Sequence, residues 1–156
     1  MNNLLRWQRL EGRSGHEAGR ALLAGAYREM TGKECPPIRT MDRGKPYFED
    51  SPLHFSISHT DKHAFCVLSD RPVGIDAEEL DRKINPRLAE KILSSGEKSR
   101  YDGSREMLLR FWVLKEASAK LSGEGLRGYP NQTDFHPDDP RIQEIDGCLV
   151  AVLQGE

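Results

Sequence analysis

Hydrophobic positions along this chain follow two spacings, one of about 3.6 residues that is typical of helices and one of about 2 that is typical of strands. The helical spacing predicts a helix over residues 16–32, which begins after the candidate N-cap Ser14 and ends near Gly32. The same spacing predicts a second long helix over residues 104–123 and a short amphipathic helix within residues 1–13.

Alternating or continuously apolar runs bounded by turn residues predict strands. The predicted strands lie near residues 54–59, 64–68, 73–78 and 148–153. The first two are separated by a short polar segment and form a predicted hairpin. The strand at residues 148–153 follows an Asp-Gly turn.

The composition narrows the classes of function. The 156 residues suit one domain or two tightly joined halves, and the net charge of −2 excludes bulk attraction to nucleic acid. There is no apolar run of the ~20 residues that a membrane span needs, and no signal-peptide pattern. The three cysteines, Cys35, Cys66 and Cys148, lack metal-ligand spacing. We therefore expect a cytoplasmic protein with reduced thiols, no membrane partner and no nucleic-acid partner.

The second long helix carries charge beside its apolar rows. Residues four apart share a helix face, so Trp112, Glu116 and Lys120 form one row. Glu116 and Lys120 are either an ordinary surface ion pair, stabilising the helix by about 0.2–0.5 kcal/mol, or an acid and a base held on one rigid element.

The strand at residues 73–78 places two acidic side chains on one face. Alternation puts Asp76 and Glu78 opposite the apolar side chains of the same strand. Neighbouring carboxylates repel each other unless they are solvated or share a cation, and oxygen ligands suit Mg²⁺. The pair indicates either a solvated strand end or a magnesium site.

Several basic and hydroxyl side chains are candidates for binding an anion. Gly44 and Lys45 lie in a predicted turn, and Ser58 and His59 close the strand at residues 54–59. Arg20 lies among apolar residues of the first long helix. Each of these residue types is also common in ordinary turns and surfaces. Position alone therefore does not separate an anion-binding role from an ordinary structural one.

Four segments of the chain, taken together and in this order, resemble the 4′-phosphopantetheinyl transferases. The most specific parts of the resemblance are the acidic pair and the later pattern Trp-x-x-Lys-Glu-x-x-x-Lys-x-x-Gly-x-Gly-Leu. The resemblance covers roughly residues 9–130. The segments are GKPYF, HFSISHT, VGIDAEE and FWVLKEASAKLSGEGL.

The resemblance implies an α+β fold of two small halves related by a pseudo-twofold, each with an antiparallel sheet packed on helices. The halves would be residues 1–70, with coenzyme A nucleotide-binding elements, and residues 71–156, with the metal site and the long catalytic helix, in one integrated unit. The first half is expected to be shortened. The elements upstream of VGIDAEE favour the two-half, surfactin-type monomer over the small homotrimeric holo-acyl-carrier-protein synthase type.

The resemblance also implies the reaction. A serine hydroxyl of an apo acyl or peptidyl carrier protein attacks coenzyme A, takes up 4′-phosphopantetheine and releases 3′,5′-ADP, in fatty-acid, polyketide or nonribosomal-peptide biosynthesis. The alternative is a non-catalytic module that keeps the fold and binds the carrier or coenzyme A.

Residue roles are implied position by position. Mg²⁺ is the expected cofactor, with three carboxylates as ligands: Asp76, Glu78 and Glu116. Glu116 is also a candidate general base, and Lys120 is the catalytic lysine. Coenzyme A is expected to contact a set of basic, hydroxyl and glycine residues: Arg20, Arg43, Gly44, Lys45, Ser58, His59, Lys115 and Lys120.

Overall fold

The structure, a computed structural model, describes residues 3–42, 44–123 and 130–156. Its first elements are β1 (Asn3–Arg9), α1 (Gly15–Thr31), β2 (Ile38–Thr40), β3 (Pro46–Phe48), β4 (His54–His59) and β5 (His63–Ser69). Its later elements are β6 (Val73–Glu79), α2 (Leu88–Ile92), α3 (Ser95–Arg100), α4 (Arg105–Ser122), a 3₁₀ turn (Pro130–Gln132), β7 (Ile142–Ile145) and β8 (Cys148–Gln154).

The two long helices begin and end within one residue of their predicted bounds. The Ser14 side chain accepts a hydrogen bond from the backbone N–H of Glu17, and α1 ends at Gly32, whose φ is 72°. Ser104 caps α4 in the same way, and α4 ends at Gly123 with φ 78°. Left-handed backbone at a helix end favours glycine, which has no Cβ.

The strands form two three-stranded antiparallel sheets and a small ribbon of β2 with β3. The N-terminal sheet has the order β1-β5-β4 and the C-terminal sheet the order β6-β8-β7. In both sheets the strand that comes first in the chain pairs with the strand that comes last. The long helix lies between the first and second strands of its sheet along the chain. This confirms a mixed α+β fold with antiparallel sheets. A twofold relation between residues 1–70 and 71–156 stays a prediction.

Three apolar clusters place the sheets between the long helices. One lies between α1 and the N-terminal sheet and includes Leu23 and Phe55. The second, with Phe65 and Ile75, lies between the two sheets. The third lies between α4 and the C-terminal sheet and includes Phe111. Burial on both sides explains the continuous hydrophobic run of β5 between His63 and Ser69.

The predicted helix within residues 1–13 is wrong, because β1 occupies this region. It pairs with β5 from Asn3 opposite Ser69 to Arg9 opposite His63. Leu4 packs into the α1 cluster, whereas Leu5 packs into the cluster between the sheets. Apolar residues on both faces hide the alternation that marks a strand.

No described helix has both the length and the apolar composition that crossing a membrane requires.

Candidate active site

Helix α4 lies against β6 with its charged row facing the acidic face of the strand. The apolar face of β6 points into the cluster between the sheets, as the alternation predicts. Gly74, on the other face, lets the helix backbone come close. The row of Trp112, Glu116 and Lys120 therefore lies beside Asp76 and Glu78.

Asp76 is the buried centre of the site. Lys120 Nζ lies 3.5 Å from Asp76 Oδ1 and donates to the carbonyl oxygen of Ile57 at 3.2 Å. Ser58 Oγ donates to the same Oδ1 at 3.4 Å, while Oδ2 is buried without a hydrogen-bond partner in the described part of the chain. Burial raises the pKa of Asp76 well above its usual value, with Lys120 opposing the shift.

Glu78 is held by two donors that the sequence reasoning did not assign. Trp112 Nε1 donates to Glu78 Oε1 at 3.1 Å, and Arg82 lies 2.5 Å from the same oxygen. Trp112 shares the helix row of Glu116, which is a sequence signal for its place at the site, whereas the four-residue spacing of Arg82 from Glu78 predicts no contact on a strand. Their contacts fix the orientation of Glu78 beside Asp76.

Glu116 completes the acidic group. Burial raises the pKa of its carboxyl, Lys120 and Arg82 lower it, and Glu78 raises it further. Glu78 and Glu116 also raise the pKa of Asp76. No ion pair joins Glu116 to Lys120 in the ranges that the structure describes, where Lys120 pairs with Asp76 instead. The simple surface ion-pair interpretation is therefore wrong.

The residues present fit a hard divalent cation. The three carboxylates offer only oxygen ligands, and repulsion from Glu78 and Glu116 raises the pKa of Asp76, while Glu78 also raises that of Glu116. The buried Asp76 Oδ2 is an acceptor without a donor. A hard divalent cation would bind that oxygen and offset the repulsion.

A cavity of about 280 Å³ opens beside this group. Glu116 and Lys120 line one wall, and Gly44 and Lys45 line another. Lys45 Nζ donates to the carbonyl oxygen of Leu121 at 2.7 Å, at the end of α4, and burial lowers its pKa. Two of the predicted coenzyme A contacts, Gly44 and Lys45, thus share a cavity with the predicted catalytic pair.

The other predicted contacts are placed differently. His59 is exposed, and its ring fills the space that a Cβ on Gly15, at the start of α1, would need. His59 lines a second depression together with Glu78. Arg20 is half-buried on α1, outside the residues that line the 280 Å³ cavity. Arg43 lies outside the described residues.

Two predicted coenzyme A contacts, Ser58 and Lys115, are engaged inside the protein, and their contact with coenzyme A stays a prediction. Ser58 is 4% exposed, and its oxygen accepts the backbone N–H of Ala77 at 3.1 Å. Lys115 is 2% exposed and lies 2.7 Å from the buried Glu97 carboxylate. Lys115 is four residues from the buried Phe111, a spacing that places it on the core face of α4.

Comparison with known proteins gives the family. A model described as "4′-phosphopantetheinyl transferase superfamily" matches residues 72–149, half of the chain. The matched range contains the acidic strand and all of α4.

Curated relatives match a similar share of the chain. It is 34% identical over 94 residues to the 4′-phosphopantetheinyl transferase gsp of Aneurinibacillus migulanus, covering 57% of this chain and 39% of that protein. It is 32% identical over 89 residues to a 4′-phosphopantetheinyl transferase of Bacillus subtilis, covering 53% and 39%. It is 33% identical over 90 residues to a holo-[acyl-carrier-protein] synthase of Roseiflexus castenholzii, covering 53% and 65%. The matches thus span about two fifths of the two transferases.

Proposed function

The chain belongs to the 4′-phosphopantetheinyl transferase superfamily, and from this premise we propose that it transfers 4′-phosphopantetheine from coenzyme A to a serine of an apo carrier protein. The observation that carries the proposal is the meeting of Lys120 with the buried Asp76, beside Glu78 and Glu116. Binding alone does not require a buried group of repelling carboxylates, whereas phosphoryl transfer uses one to hold a cation.

The proposed reaction makes one bond and breaks one. The serine oxygen of the carrier attacks the β-phosphorus of coenzyme A, the bond to the bridging oxygen breaks, and 3′,5′-ADP leaves. The serine hydroxyl loses its proton, and Glu116 is the group that takes it. Its raised pKa, caused first by burial, brings the carboxyl closer to the working pH of a general base.

Lys120 has the position of an electrostatic stabiliser in this proposal. Its ammonium lines the cavity and is anchored by Asp76 and the Ile57 carbonyl. A fixed positive charge stabilises the negative charge that builds up on the phosphate oxygens. Asp76 therefore positions Lys120 as well as supplying a ligand.

Mg²⁺ is the proposed cofactor, and Asp76, Glu78 and Glu116 would hold it. The ion supplies neutralising charge to the pyrophosphate oxygens when it is bound. A carboxylate has two oxygens, so Glu116 can serve the cation with one and take the proton with the other.

The cavity beside α4 is the proposed entry for coenzyme A, with Gly44 and Lys45 on its wall. His59, with Gly15 leaving room for its ring, and Arg20 remain proposed contacts for the nucleotide end. We also propose a monomer in which residues 1–70 and 71–156 act as one unit, in the cytoplasm, where the three free cysteines stay reduced.

Mass spectrometry of a carrier panel tests the proposal. Purified protein with Mg²⁺ and coenzyme A should raise the mass of at least one apo acyl or peptidyl carrier by one phosphopantetheine. Asp76→Asn and Glu116→Gln should each lower the rate by at least about 100-fold. Glu106→Gln, on the exposed start of the same helix, is the matched control and should keep the rate.

A binding module would give another result. Coenzyme A binding by calorimetry without modification of any carrier would support a non-catalytic module and overturn the proposed transfer. A solution mass of three chains would instead favour a homotrimer over the proposed monomer.

A further inference from the structure

A buried cluster at the seam between the two sheets is not used by the proposed reaction. His63 begins β5, Glu79 ends β6 and Cys148 begins β8. His63 Nδ1 lies 2.8 Å from Glu79 Oε2, and Cys148 Sγ lies 3.1 Å from the same oxygen and 3.3 Å from Nδ1. His63 is 4% exposed and Cys148 is fully buried, so the cluster joins the N-terminal and C-terminal sheets with little exposure to solvent.

One nitrogen of the His63 ring needs either a second proton or a metal ion. Both of its nitrogens face carboxylate oxygens, since Nε2 lies 2.8 Å from Asp146 Oδ2. A neutral imidazole carries one N–H and can donate to only one of them. The other nitrogen then faces an acceptor, which is stable only with a second proton or a metal ion between the two atoms.

Asp146 fixes which nitrogen carries the proton. Its two oxygens accept from Arg9 Nε and Nη2 at 2.8 and 2.9 Å, which holds the carboxylate in place on the outer side of the ring. A carboxylate that accepts the distal N–H of a histidine orients the other nitrogen as a metal ligand, an arrangement that recurs around protein metal sites. Nδ1 then points at Glu79 and Cys148.

From this arrangement we propose that His63, Glu79 and Cys148 form a zinc site that joins the two sheets, separate from the carboxylates of the transfer site. Sulfur, imidazole nitrogen and carboxylate oxygen are the ligand types that Zn²⁺ takes, whereas Mg²⁺ takes oxygen. A thiolate, a carboxylate and a neutral imidazole balance the charge of the ion. The thiol and any imidazolium release their protons to solvent on binding.

The spacing of the three ligand atoms suits the ion after small movements. Zinc bonds of about 2.0–2.3 Å in a tetrahedron place neighbouring ligands ~3.3–3.6 Å apart. The observed separations of 2.8, 3.1 and 3.3 Å are shorter by a few tenths of an ångström. A depression lined by Arg9, Lys62 and Gly147 reaches His63 and Glu79 and gives water access to the fourth position.

Cobalt spectroscopy tests the site on the full chain. Chelator-washed protein is titrated with Co²⁺ in excess Mg²⁺, which fills the oxygen-only site. The expected result is one Co²⁺ per chain with a thiolate-to-cobalt charge-transfer band in the near ultraviolet, removed by one equivalent of Zn²⁺. Cys148→Ala should lose the band, whereas Cys35→Ala, which removes a half-buried thiol outside the cluster, should keep it.

Two further variants keep the test decisive if Cys148→Ala does not fold. Glu79→Gln preserves the side-chain volume and should weaken Zn²⁺ binding, measured by competition with a chromophoric chelator. Asp146→Asn should weaken it by about 10–100-fold through the ring orientation alone. Absence of stoichiometric Co²⁺ binding, or a band that survives in Cys148→Ala, overturns the zinc site and leaves a doubly protonated His63 as the cation. Neither result bears on carrier modification, which is measured separately.

Discussion

Gly74 lies so close to Ala117 that a Cβ on the glycine would be 2.2 Å from the carbonyl oxygen of Ala117 and 2.5 Å from the backbone nitrogen of Leu121. Real Cβ atoms do not approach backbone this closely, so only glycine allows β6 and α4 their observed separation. That separation sets the distance from Lys120, on the helix, to Asp76, on the strand.

Gly74→Ala is therefore expected to push α4 away from β6. Overpacking of this kind costs about 1–3 kcal/mol in the free energy of unfolding, and a displacement near 1 Å at the site costs about 100-fold in rate. Denaturant unfolding and carrier modification measure the two effects. Gly25→Ala is the control, because a Cβ at this exposed position of α1 meets nothing within 4 Å. Equal activity in both variants would contradict the role of Gly74.

The two serines of β4 separate a structural role from a functional one. Ser56 Oγ accepts the N–H of Ile75 at 3.0 Å, and Ser58 Oγ accepts the N–H of Ala77 at 3.1 Å, so both hydroxyls replace sheet hydrogen bonds along β6. An unpaired buried N–H costs about 1–3 kcal/mol. We expect Ser56→Ala and Ser58→Ala to lower the free energy of unfolding by similar amounts.

Activity is expected to distinguish the two serine variants. Ser58 also donates to Asp76 Oδ1, so Ser58→Ala should lower kcat, whereas Ser56→Ala should leave kcat near the wild-type value at temperatures where it is folded. A rise in the KM for coenzyme A without a change in kcat would instead support direct binding of coenzyme A by Ser58.

The local structure was predictable where a short segment determines it. The cap residues Ser14 and Ser104 locate the starts of α1 and α4, because the bonds that satisfy a helix terminus involve residues three apart. The alternation of β6 likewise determines that Asp76 and Glu78 share a face. The resemblance, and no local pattern, implied that Glu116 lies near Asp76 and Glu78, and the three carboxylates do interact.

The features that the sequence did not predict depend on contacts between residues far apart in the chain. The β1 strand forms because β5 offers it an edge, which nothing in residues 1–13 reveals. The resemblance implied a coenzyme A contact for Lys115, whereas its pairing with Glu97, 18 positions earlier in the chain, was not predicted. The engagement of Ser58 with β6 is likewise a contact between separate strands.

His63 is expected to make stability depend on pH in metal-free protein. Burial opposes its charge, but hydrogen bonds to Asp146 and Glu79 outweigh burial and raise its pKa. A raised folded-state pKa means that this contribution is complete below the unfolded value of about 6.5 and is lost as the pH rises through the folded value.

Denaturant unfolding in chelator across pH 6 to 9 measures this loss, which for one proton is at most about 1.4 kcal/mol per pH unit. His63→Gln should remove that part of the pH dependence. The exposed His16 on α1 gives the control His16→Gln, which should keep it. A pH profile that is the same in His63→Gln and in the wild type would show that His63 does not carry the charge.

Lys115 and Lys120 lie on one helix, and we expect substitution of Lys115 to affect mainly stability and substitution of Lys120 to affect mainly activity. Lys115 is buried and pairs with the fully buried Glu97, so Lys115→Met leaves a buried carboxylate without its cation and should cost about 3–5 kcal/mol in the free energy of unfolding. Lys120 is a third exposed, so Lys120→Met should cost less stability than Lys115→Met but lower kcat by about 100-fold or more. Urea unfolding and single-carrier kinetics separate the two outcomes.

The double variant Lys115→Met, Glu97→Gln should recover part of the lost stability, because the amide carries no charge. If Lys115→Met folded normally but lost coenzyme A affinity, Lys115 would be a substrate contact as its motif implies.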